Sequence, residues 1–142
     1  MRIYAVLDTN VLVSAMLTRH KNSATKRIID AASDLSLTPL YHEDIIKEYK
    51  NVLQRDKFGF DSTDVENMLN VITTFGIRVD RTPTKEVFVD KDDVMFYEVA
   101  LSKESAYVVT GNIKHFPKKP IVVTPSEMIK ILENNGLIEK EE

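Results

Sequence analysis

The sequence predicts an α/β domain built on a central parallel sheet of about five strands, with helices on both faces. Three observations carry that reading. Short apolar runs alternate with stretches of helical periodicity along the chain. The runs are continuous rather than alternating, as strands buried on both faces require. And no internal repeat, low-complexity tract, long linker or cysteine framework organises the 142 residues in any other way.

The elements follow in order. Residues 3–7 read as a buried strand and 10–17 as the helix after it. Asn22 or Ser23 caps a second helix to about Ala32, with Ile28 and Ile29 inward. Residues 35–40 form a short strand that ends near Pro39. Residues 42–53 form an amphipathic helix, with Ile45, Ile46, Tyr49, Val52 and Leu53 on one face. A loop over 57–61 leads to a helix over 62–75, capped by Ser62 or Thr63. Glu66 is spaced for a capping box with Thr63, and Gly76 stops the helix. A strand is expected at 77–79 and an edge segment or loop at 83–89. A helix over 92–103 precedes the strand "AYVVT" at 106–110, and the loop 111–120 holds one helical turn. The last strand is 121–123. In "TPSE", Thr124 is the N-cap, Pro125 the first helical residue and Glu127 the third after the cap, so a helix starts there and runs to about Asn134. Residues 135–142 are expected to be a solvated tail on a single domain spanning 1–142.

Composition narrows the function classes. Hydrophobic residues make up 43% of the chain, enough for one core but thin for two. The formal net charge of -3 does not mark a nucleic-acid binder, although a local basic patch can act inside an acidic chain. The absence of cysteine excludes disulfides, thiolate chemistry and cysteine-ligated zinc. His20, His42 and His115 show no metal-ligand spacing. No leader segment is recognisable before the first strand, and no run approaches the roughly 20 apolar residues that cross a bilayer. A cytoplasmic protein without membrane contact is expected.

In open parallel sheets, chemistry collects at the carboxyl ends of the strands. Asp8 closes the first strand, where a carboxylate out of water is costly unless compensated. Helix capping also accounts for it, but Thr9 and Asn10 stand ready to cap instead. Glu48 lies on the flank of the apolar stripe of helix 42–53, with no i±4 basic partner; an ordinary boundary glutamate is the alternative. Asp93 takes the first slot of the series Asp93, Phe96, Tyr97, Ala100, Leu101, which is the core-facing spacing of its helix. Asp90 or Asp92 suffices to cap that helix, and a solvated first-turn acid is the other explanation for Asp93. Asn112 follows the fourth strand in "VVTGN", where Gly111 suits a sharp turn or a close backbone approach; a plain Gly-Asn turn explains the pair equally.

A parallel sheet gathers three of these groups at one rim. Clustered carboxylates repel and cannot all stay ionised at neutral pH. A divalent cation resolves the conflict, and oxygen-only ligands favour Mg²⁺ or Mn²⁺. Such an ion activates water and stabilises charge on a phosphoryl oxygen, which points to phosphodiester hydrolysis.

The sequence resembles the PIN-domain ribonucleases, and within them the members identified as toxin components of type II toxin–antitoxin systems. "VLDTNVLVSAML" resembles the opening strand and first acidic residue, "IIKEYKNVL" the second acidic motif, and "DKDDVMFYEVALSKESAYVVTGN" the third with its following strand. The resemblance implies a three-layer α/β/α sandwich and Asp8, Glu48 and Asp93 as metal ligands, with Asp92 a further candidate. It implies metal-dependent cleavage of single-stranded RNA, a homodimer, and a small antitoxin partner. The chain departs from the pattern at Asn112, where many members have an acid, and His115 replaces a second acid; an amide ligates or positions water without contributing charge.

An RNA substrate needs cations against its phosphates. Arg19, Lys21 and Lys114 are expected near the rim, with Thr9, Asn10 and Thr110 as polar contacts; Tyr41, Tyr107 and Phe116 are the aromatics available for stacking. A PIN-like scaffold that binds RNA or a protein without cleaving is the alternative reading. A phospho-accepting receiver domain fits less well, since "LDTN" supplies one acid rather than a pair.

Overall fold

The apolar runs form five short strands: β1 (Tyr4–Leu7), β2 (Thr38–Tyr41), β3 (Ile77–Arg78), β4 (Tyr107–Val109) and β5 (Val122–Val123). The computed structural model describes residues 1–140 and pairs all five in parallel, in the order β3-β2-β1-β4-β5. Six helices complete it: α1 (Thr9–Leu17), α2 (Ala24–Ser33), α3 (Glu43–Leu53), α4 (Ser62–Phe75), α5 (Val94–Leu101) and α6 (Pro125–Asn134). The predicted α/β architecture, with its parallel sheet, is the one observed.

From β1 the chain builds outward through β2 to β3, then returns to place β4 on the other side of β1. That reversal opens a crevice between the carboxyl ends of β1 and β4. α2 packs on α1, α4 and α6 as one layer, while α5 lies against β1, β2 and β4. A right-handed return from β3 to β4 puts α5 on the opposite face. The central strand is the driest part of the core, with Ala5, Val6 and Leu7 at 0% exposure.

Several local expectations change. α1 starts at Thr9, so Thr9 and Asn10 lie inside it and cannot cap; Asp8 holds the cap position without a side-chain cap bond. The cap of α4 is Asp61, whose Oδ1 accepts from the Thr63 N–H at 2.8 Å, so the expected box from Thr63 to Glu66 does not form. β2 starts only at Thr38, because Leu35 turns the chain with φ 71°. The helix expected over 92–103 divides into a 3-10 turn, Lys91–Asp93, and α5. α5 has no single apolar stripe: Met95, Glu98 and Val99 are buried beside Phe96, Tyr97 and Ala100, and Leu101 is the exposed one.

The loop over 80–90 explains that burial. Phe88 packs edge-on against Tyr97 and Phe116, with ring centroids 5.6 and 5.7 Å apart. Arg81 forks onto Glu98 Oε1 at 2.9 and 2.6 Å and also reaches Asp44, while the Thr84 N–H donates to Glu98 Oε2. A buried glutamate is thereby paired and hydrogen-bonded, the condition under which such burial is tolerated.

The Thr124–Glu127 capping box of α6 forms as predicted, with Pro125 in first place. The solvated tail expected over 135–142 is corrected for part of its length. Leu137 and Ile138 pack against the core, and Arg27 donates to the Glu139 carbonyl at 3.2 Å; residues 141–142 lie outside the described ones. Gly76 ends α4 for a steric reason. A Cβ there would stand 2.2 Å from the Ile72 carbonyl oxygen and 2.6 Å from that of Pro39. No helix among the described residues is long and apolar enough to cross a membrane.

One buried bond ties α3 to the central strand. The Tyr49 hydroxyl, at 0% exposure, donates to the Leu7 carbonyl at 2.5 Å, and its ring lies 6.3 Å from that of Phe96 on α5. Removing that donor strands a carbonyl in the core, so Tyr49→Phe is expected to lower unfolding stability by about 1–3 kcal/mol. Urea unfolding checks this; an unchanged midpoint would show that the hydroxyl holds nothing.

Candidate functional site

Asp8 emerges from β1 directly at the crevice. It is 5% exposed, and its Oδ2 accepts two side-chain donors: Thr110 Oγ1 at 2.7 Å and Asn10 Nδ2 at 3.1 Å. Each donor is itself held. Thr110 Oγ1 accepts from the Asn112 N–H at 2.9 Å, and Asn10 Oδ1 from the Gly111 N–H at 3.1 Å. The turn after β4 therefore grips the end of β1 through two side chains. Both donors converge on Oδ2, which leaves Oδ1 without a side-chain donor.

The other carboxylates arrive from separate elements. Glu48 comes from α3, one residue before the anchored Tyr49. Asp90 caps the 3-10 turn by accepting from the Asp92 N–H at 2.9 Å. That frees Asp93, which occupies the cap position of α5 without a side-chain cap bond. Asp8, Glu48, Asp90, Asp92 and Asp93 line one cleft of about 300 Å³ together with Asn112. The site expected from the sequence is thus brought together, and Asp90, Arg55 and His115 join it. Arg55 was legible in principle, since Glu48, Val52 and Arg55 follow i, i+4, i+7 spacing. Asp90 had been assigned only its cap.

Burial first, and like charge second, set the electrostatics of the cleft. Burial pushes the Asp8 carboxyl above its usual range, against the Thr110 hydrogen bond and the nearby Thr9 and Asn10 amides that favour its charge. Asp93 is pushed up to about 6, first by burial and then by Asp8 and Asp90, while His115 opposes the shift. Glu48 is raised by burial, then by Asp92, with Arg55 pulling the other way. His115 Nδ1 stands 3.7 Å from Asp93 Oδ2, an ion pair when the ring is protonated.

Oxygen donors with this excess of negative charge suit a hard divalent cation. Among the described residues, no three Asp, Glu or His side chains stand close enough to hold an ion as they are placed. Asp8 is fixed by its two donors, so closing a ligand set falls to Glu48 and Asp93, whose side chains are not hydrogen-bonded among the described residues. The donor chemistry fits such an ion, and a closed ligand set would require Glu48 and Asp93 to turn toward Asp8.

The residues expected to touch substrate divide. Asn10 and Asn112 line the cleft. Thr9 lines it too, but its hydroxyl is buried and has no partner among the described residues. Thr110 is corrected: at 0% exposure it meets Asp8, not solvent. Arg19 and Lys21 do not line the cleft. α1 leaves the crevice at Asp8 and carries its far end about 13 Å away, and Lys21 lines a separate hollow with Met68. Lys114 is exposed on the 3-10 turn Ile113–His115 and does not line the cleft. Gly111 is not sterically required, since a Cβ would meet Asn10 at an ordinary 3.6 Å.

A family model described as the PIN domain matches residues 4–114, which span all of these cleft residues except His115. No curated protein matches the chain significantly.

The raised Asp93 carboxyl sets a pH dependence with a definite sign. Between about 4, its unfolded range, and about 6, the folded chain keeps a proton that the unfolded chain has released. Stability from this group is therefore present below that window and lost as pH rises through it. Without metal, Asp93→Asn is expected to gain stability relative to wild type between pH 4 and 6. Parallel stability profiles, measured by urea unfolding, would contradict the clustered-charge description.

Proposed function

The chain belongs to the PIN-domain family, a nuclease-type fold, and on that premise we propose that it is a Mg²⁺- or Mn²⁺-dependent endoribonuclease acting on single-stranded RNA. The observation that carries this reading is the convergence of five carboxylates on one cleft at the sheet's switch point, with Asp8 raised by burial and Glu48 and Asp93 raised by burial and then by neighbouring acids.

Asp8, Glu48 and Asp93 would hold the cation, and Asp92 lies on the cleft wall as a further oxygen donor. When bound, the ion supplies a water of lowered pKa and charge stabilisation at a phosphoryl oxygen. The chain's own part is placement. Thr110 and Asn10 fix Asp8 Oδ2 and orient the carboxylate. Asn112 offers an amide oxygen where an acid would add charge. Val52 and Phe96 give the cleft an apolar wall, which strengthens electrostatic interactions beside it.

The motif resemblance supports a wider reading: a cytoplasmic toxin, working as a homodimer, whose cleft a small antitoxin protein blocks. The second reading, a scaffold that binds RNA without cutting it, is favoured by one observation, the amide at Asn112 in place of an acid.

Incubation of the purified protein with single-stranded RNA and Mn²⁺ tests both. Cleavage is expected to stop with a chelator and to fall at least about a hundredfold in Asp8→Asn and Asp93→Asn. Equal residual cleavage in wild type and both variants would remove the enzyme reading. RNA binding without cleavage would leave the scaffold.

A further inference from the structure

One strongly basic side chain stands among the carboxylates of the cleft. Arg55 is the only arginine among its described lining residues, and it is exposed. Other arginines at the surface are committed elsewhere: Arg78 to Glu43 and Asp80, Arg81 to Asp44 and Glu98, Arg27 to Glu133. Arg55 shares a cleft with Glu48, Asp90 and Asp92, yet makes no hydrogen bond or ion pair with them. Its backbone is fixed on both sides. The N–H donates to the Val52 carbonyl at 3.1 Å, and the carbonyl accepts from the Phe58 N–H at 3.1 Å. The guanidinium is thus anchored at its root, and at its head it acts on Glu48 through space without a hydrogen bond.

An acidic cleft repels a polyanion, so a strand entering it needs a cation on the approach. A guanidinium fork matches the geometry of phosphate oxygens better than any other side chain. Glu48 and Arg55 lie on one side of the same helix and its continuation, about 10 Å apart along the axis. We infer that Arg55 grips a phosphate of the RNA strand flanking the one that meets the carboxylates, and so sets the strand's register in the cleft. The inference rests on the ribonuclease reading and names a cationic contact within the cleft itself, which Arg19 and Lys21 do not line.

The test uses a fluorescein-labelled single-stranded RNA oligonucleotide and fluorescence anisotropy in an Asp93→Asn background, where cleavage is stopped. Arg55→Gln is expected to weaken binding about tenfold and to make the slope of log Kd against log salt shallower by about 0.7. Arg55→Lys restores the salt slope but only part of the affinity, because an ammonium cannot fork. Lys47→Gln, which removes an exposed charge from the same helix, leaves both unchanged. In the active protein, KM rises while kcat stays within about twofold. An Arg55→Gln variant with wild-type affinity and salt slope overturns the inference, as does a fall in kcat at constant KM. Failure of every form to bind or cleave RNA overturns the ribonuclease reading and this contact with it; intact cleavage with an indifferent Arg55 overturns this contact alone.

Discussion

The Asp8 carboxylate must sit out of water at the point where the sheet changes direction, and the surrounding structure is arranged around that demand. A buried carboxylate with no partner is expensive. Here it is held through Thr110 Oγ1 and Asn10 Nδ2, and those two are in turn held by the backbone of the turn after β4. The same contacts join the ends of β1 and β4, so the position of the acid and the closure of the crevice are one interaction. Tyr49 completes the frame from the other side by docking α3 onto the last carbonyl of β1.

That frame brings Glu48 and Asp93 to the same cleft at an electrostatic cost. Two hydrogen bonds do not cancel the burial of Asp8, and Asp8 and Asp90 raise Asp93 further. A fold that served only its own stability would place lysines there. Instead the chain's paired cations sit elsewhere, on Glu43, Glu98 and Glu133. A cation in the cleft would turn repulsion among these acids into shared coordination, and the cost of assembling the site would favour its uptake.

Much of this was legible in the sequence, and the reasons differ by residue. The parallel sheet followed from continuous apolar runs, and the α6 start from Thr124, Pro125 and Glu127, because caps and buried strands are local patterns. Asp8, Glu48 and Asp93 stood out as acids in places where burial makes acids costly. The partner of Asp8 did not, because Thr110 is separated from it by 102 positions and looks like any strand-end threonine. The role given to Thr9 and Asn10 as caps failed because the helix begins one residue earlier than its apolar period suggested. Arg19 and Lys21 follow the far end of α1 and do not line the cleft, because nearness in sequence to the first acid is not nearness in space. Arg55 was overlooked because its role depends on what it does not bond.

The metal-dependent reading requires the cleft to take up a divalent cation through these carboxylates. Titration calorimetry with Mn²⁺ at pH 6, in buffers of different ionisation enthalpy, tests it most directly. The structure predicts saturable binding accompanied by proton release, since Asp93 is partly protonated at that pH, and loss of that binding in Asp8→Asn. Wild-type protein that gives no binding heat in any of these buffers, or an Asp8→Asn variant that binds Mn²⁺ equally well, would contradict it.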